Sequence, residues 1–97
     1  MKSVLIIYNQ AHTIPVLEIL DRLSVRGYTG WENLTGRGSE TGEPHLGSHA
    51  WPSRNSATLV VIPDEKLQKL KEQLKILNYS APKQGLRMFA WDICDSL

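Results

Sequence analysis

The chain has one cysteine, Cys94, among its 97 residues. A single thiol excludes an internal disulfide framework and a CxxC metal knuckle. There is also no excess of charge: 11 basic and 10 acidic residues give a formal net charge of +1, and the basic ones are spread along the chain. A nucleic-acid-binding face would need them concentrated, so no nucleic-acid partner is expected. Long hydrophobic runs are missing too. The opening Met-Lys-Ser-Val-Leu-Ile-Ile-Tyr is too short for a signal peptide or a membrane span, which leaves the cytoplasm as the expected location. A chain this short buries only about 60–65% of the surface it exposes when unfolded, so self-association would add stability. One domain over 1–97 is expected.

What is present falls into short apolar blocks. Val4–Tyr8 is β-branched and apolar on both faces, as in a central strand. Val16, Ile19, Leu20 and Leu23 follow at helical spacing, with Pro15 in the first turn and Gly27 as the expected stop. Tyr28–Leu34 and Ala57–Ile62 read as strands two and three. Pro63-Asp64-Glu65 opens a second helix, acidic at its positive end. Leu67, Leu70, Leu74 and Leu77 form its buried stripe, and its lysines form a solvated face. Leu86–Ile93 is the last strand, with Met88, Ala90 and Asp92 on one face and Arg87, Phe89, Trp91 and Ile93 on the other.

This order, βαββαβ, predicts an α+β ferredoxin-like sandwich: a four-stranded antiparallel sheet with two helices on one face. The other face, supplied by Trp31, Phe89, Trp91 and strand 57–62, has no cover within the chain. A homo-oligomer is the simplest cover.

Between strands two and three lies an insert at 36–56, with glycines at 36, 38, 42 and 47, prolines at 44 and 52, and histidines at 45 and 49. Connections beyond about 12–15 residues are mostly functional or disordered. Gly36-Arg37-Gly38-Ser39 can turn tightly, offer N–H groups to an anion and add a guanidinium. The same pattern also serves as a plain turn. His45 and His49 have the spacing of a helical metal pair, yet Pro44 and Gly47 oppose a helix, and two ligands fall short of zinc's three or four.

With these features in place, the chain resembles the PII signal-transduction family over nearly all of residues 1–93. The resemblance rests on Met1-Lys2 before an apolar strand and on Gly27-Tyr28-Thr29-Gly30. It continues with the Gly36-Arg37-Gly38 entrance to a long loop in the place of the family's T-loop. Val60-Val61-Ile62-Pro63-Asp64 and Gly85-Leu86-Arg87-Met88-Phe89 complete it. It implies a homotrimer whose sheets pack around a threefold axis, with an adenine nucleotide or similar small anionic ligand in clefts between subunits. It further implies that loop 36–56 changes conformation and docks on an enzyme or a membrane transporter, as in the nitrogen regulatory protein family it resembles. By position, Gly36, Arg37, Gly38 and Ser39 would cradle the ligand, with Lys83, Gly85 and Arg87 on its other side.

The chain departs from the family in four places. The loop contains no tyrosine, so a tyrosine-modification switch has no substrate. Ser39 stands where the family carries arginine and glutamine, the latter a contact to magnesium and 2-oxoglutarate. Residues 81–84 make a short nucleotide loop, and no basic tail precedes Leu97. These differences point to the divergent, transporter-associated type.

Two other classes stay open. One is a CutA-like divalent-metal-binding trimer using His45 and His49, with Glu40 or Glu43. The other is a small enzyme using His12, His45 or His49, although no carboxylate has the spacing to orient any of them. The regulatory reading requires no cofactor and no catalysis.

Overall fold

The computed structural model describes residues 1–36, 44, 46 and 54–97. Six main elements follow the expected order: β1 (Lys2–Asn9), α1 (Thr13–Arg22), β2 (Thr29–Leu34), β3 (Asn55–Ile62), α2 (Asp64–Ser80) and β4 (Arg87–Asp92). Short 3-10 turns at Gln10–His12 and Pro82–Gln84 lead into α1 and β4. The sheet order is β2-β3-β1-β4, and each neighbouring pair is antiparallel. This is the ferredoxin-like arrangement.

Alternation along the strands decides what each face buries. Val4, Ile6 and Tyr8 of β1 join Val60 and Ile62 of β3 beneath the helices. Val16, Ile19 and Leu20 of α1 and Leu70 and Leu74 of α2 close that core, with Leu67, Leu77 and Met88 packed at its margin. The helical stripes are therefore the ones the leucine and isoleucine spacing predicts. The termination of α1 is different. Gly27 plays no part; Ser24 takes the left-handed conformation at φ 59°. The Val25 N–H donates to the Leu20 carbonyl at 2.8 Å and the Ser24 N–H to the Asp21 carbonyl at 3.0 Å. That pair of bonds, with buried Val25 beside Leu20, is a Schellman closure, and it works without glycine.

β3 starts two residues earlier than the apolar run implies, because Asn55 and Ser56 are buried and paired with Asn9 and Tyr8. β2 begins at Thr29 rather than Tyr28. It is an edge strand whose register with β3 shifts between Trp31 and Leu34. Asn33, at φ 57°, carries that irregularity, which is a common place for a bulge.

The second face of the sheet is open. Leu5 lies between Leu59 and Phe89, Ile7 between Ala57 and Arg87, and Ser3 between Val61 and Trp91. Trp31, Val61, Phe89 and Trp91 remain 45%, 46%, 54% and 48% exposed. Soluble monomers seldom leave so much contiguous apolar surface bare. Among the described residues, no helix is long and apolar enough to cross a membrane.

Candidate functional site

One end of the sheet gathers the base of the long insert and the entry to β4. Leu34 is paired with Asn55, and Asn55 with Asn9. Two contacts tie the two arms of the insert to this end. The Arg54 guanidinium donates to the Asn33 carbonyl at 3.4 Å, and the Gln10 N–H donates to the Arg54 carbonyl at 2.9 Å. Gly36 follows β2 and lies close against the Asn55 side chain.

The opposite edge supplies the other candidates. After α2, Pro82–Gln84 makes a single tight turn and Gly85 takes the left-handed conformation at φ 75°. A side chain would be strained there, so glycine suits this entry to β4. Lys83 is exposed on the turn and Arg87 is exposed at the first position of β4. The Arg87 guanidinium donates at 2.8 Å to the carbonyl of the preceding Leu86. Among the described residues, no carboxylate forms an ion pair with Lys83 or Arg87; the two pairs present are Met1 with Asp64 and Lys2 with Asp92. Their charge is available to an anion.

Within one chain these two groups stay apart. Gly36 extends β2 while Arg87 belongs to β4, and β3 and β1 lie between them. Three strand spacings at about 4.8 Å each separate them by roughly 14 Å. Both sit at the same end, because Arg87 is opposite Ile7 and Asn55 opposite Asn9. Arg37, Gly38, Ser39, His45 and His49, and most of the insert around them, lie outside the described residues. Among the described residues no three metal-ligating side chains cluster.

His12, the remaining histidine, stands at the start of α1. Its Nδ1 is buried without a hydrogen-bond partner among the described residues. Burial holds its pKa below the ordinary 6.5. Among the described residues, no carboxylate is bonded to that nitrogen. Asn78, near the end of α2, also has an unpartnered buried atom, Oδ1, among the described residues. Neither atom gave any signal in the sequence.

The described residues thus form a ferredoxin-like βαββαβ unit with a long β2–β3 insert and a cationic entry to β4 shaped by glycine. The chain belongs to the nitrogen regulatory protein P-II family, whose model matches residues 1–96. Among solved structures, CPII from Thiomonas intermedia bound to ADP and bicarbonate is 28% identical, with a TM-score of 0.76. The match covers 95% of this chain and 84% of that one. CPII, itself a nitrogen regulatory PII-like protein, also matches in a form bound to ADP, AMP and bicarbonate, at 27% identity and TM-score 0.74 over 95% and 88% of the two chains. A PII-like signalling protein from Thermus thermophilus shares the fold at TM-score 0.67 and 18% identity, over 95% and 85% of the chains. No curated protein matches the chain. The protein is thus a divergent PII-like signalling protein.

Proposed function

We propose that the chain works as a non-enzymatic sensor: a homotrimer that binds an adenine nucleotide at the clefts between its copies. The carrying observation is the placement of Gly36 and Arg87 at one end of the sheet but on opposite edges. One chain cannot close that gap, whereas the β2 edge of one copy set beside the β4 edge of the next would close it. The bare face holding Trp31, Val61, Phe89 and Trp91 supplies the apolar area to hold such copies together.

In this reading the Gly85 turn lets the backbone approach the phosphates, and Lys83 and Arg87 neutralise them. Arg37, Gly38 and Ser39, which follow Gly36 in the sequence but lie outside the described residues, are the candidates to complete the cradle from the neighbouring copy. CPII with ADP, AMP and bicarbonate supports the nucleotide as ligand and makes bicarbonate the second anion to examine. Insert 36–56 begins at this cleft, so occupancy can change its conformation and alter its grip on a partner. An enzyme or a membrane transporter fits that role.

Calorimetric titration with ADP, alone and with bicarbonate, tests the assignment. A charge-assisted hydrogen bond contributes about 1.5–3 kcal/mol, so Arg87→Ala should weaken ADP binding about tenfold to a hundredfold. Absence of ADP binding, or equal affinity in the variant, would overturn it.

A further inference from the structure

We propose that the hollow between α1 and β2 is a second ligand site, built for a small organic amine in its ammonium form. The hollow has a volume of about 470 Å³, within the usual range for small-molecule sites. Tyr8, Ser56 and Thr58 form its floor on the helix-facing side of the sheet, Thr13 and Leu17 one wall, and Tyr28 and Glu32 the other.

Gly30 is what keeps the hollow open. It pairs with Thr58, so a side chain at position 30 would project into this space. Nothing local requires glycine there. Its φ is not positive. A Cβ would meet Tyr28 Cε2 at 3.7 Å and the Ala57 carbonyl oxygen at 3.8 Å, both ordinary contacts. Glycine inside a strand is destabilising relative to alanine, and an unforced one often marks where a ligand comes close. Here the gap leads directly to buried hydroxyls.

The lining chemistry selects the ligand. Tyr8 and Thr58 share a buried hydrogen bond of 2.7 Å between their hydroxyls. The Thr13 hydroxyl donates its proton to the Gln10 carbonyl at 2.8 Å, so towards the hollow, where it also meets the Tyr8 hydroxyl, it can act only as an acceptor. Glu32 supplies a carboxylate, and no lysine, arginine or histidine among the described residues lines the space. Burial pushes the Tyr8 hydroxyl pKa up, the hydrogen bonds with Thr58 and Thr13 oppose it, and Tyr28 and Glu32 add the smallest upward pushes. A ligand must bring N–H donors and positive charge, and the Tyr28 ring offers a face for a cation. The Glu32 carboxylate disfavours an anion there. The site is thus chemically opposite to the cationic β4 entry, and its assignment does not depend on the nucleotide reading.

Ethanolamine is a suitable probe, with ethylene glycol as its neutral counterpart, in calorimetric titrations of the full chain. Ethanolamine should bind and ethylene glycol should not. Glu32→Gln removes the charge, and Gly30→Val fills the gap with room for its Cβ; each should weaken ethanolamine binding at least about tenfold. Ethylene glycol binding as tightly as ethanolamine would overturn the proposal. So would undetectable ethanolamine binding by the wild type, or unchanged affinity in both variants. Because Glu32 is exposed, its variant should fold, and it keeps the test decisive if Gly30→Val does not.

Discussion

Gly36 lies so close to Asn55 that a Cβ on it would stand 2.8 Å from the Asn55 side-chain nitrogen. Asn55 is only 5% exposed and begins β3, so its amide has little freedom to retreat. The two ends of the long insert therefore meet across a contact that any side chain at position 36 would force to shift.

Gly36→Ala should consequently displace Asn55 or the arm leading to Arg37. Overpacking of this kind typically destabilises by about 1–3 kcal/mol. A lowered thermal midpoint together with weaker ADP binding is the expected result. Unchanged values for both would show that the contact relaxes freely.

The bare sheet face makes a separate prediction. Phe89 projects beside Leu5, and Trp91 beside Ser3, from β4. Phe89→Asp would bury an unpaired carboxylate in any interface formed there, which is strongly unfavourable. Light scattering should then report single chains at concentrations where the wild type is associated. Because Phe89 is 54% exposed in the isolated chain, far-ultraviolet circular dichroism should be unaltered. A variant that still associates would place the interface elsewhere.

The fold could be read from the sequence because its signals are local. Leu67, Leu70, Leu74 and Leu77 are spaced so that only a helix gathers them on one side. Phe89 and Trp91 alternate with Met88 and Ala90, which only a strand separates. The features that escape a sequence reading are set by pairing or by bond networks. Ser24 closes α1 in the place expected of Gly27, because two backbone hydrogen bonds offset a left-handed residue that is not glycine. Gly30 reads in the sequence as one more residue at the start of strand two. Its meaning depends on being opposite Thr58, a partner 28 positions away. Of the candidate site, the sequence named Gly85 and Arg87, which lie at the entry to β4, the first left-handed and the second exposed; Arg37, Gly38 and Ser39 lie outside the described residues. The Nδ1 of His12, in contrast, unpartnered among the described residues, owes its state to tertiary burial.

That histidine gives a pH prediction. Burial holds the folded pKa of His12 below its ordinary 6.5, so the unfolded chain takes up a proton more readily than the folded one. Its contribution to stability is fully present above about 6.5 and is lost as pH falls through the lower folded value. Urea unfolding at pH 7.5 and at pH 5 should show a fall in midpoint, and His12→Gln should make that fall smaller. An equal fall in the variant would assign the acid sensitivity to other groups.

The central claim joins assembly to ligand binding, and native mass spectrometry of the chain with added ADP reads both at once. The account predicts a species at three times the 10.9 kDa chain mass, carrying up to three ADP molecules, one for each cleft. A single chain, with or without ADP, or a trimer that takes up no ADP, would contradict it.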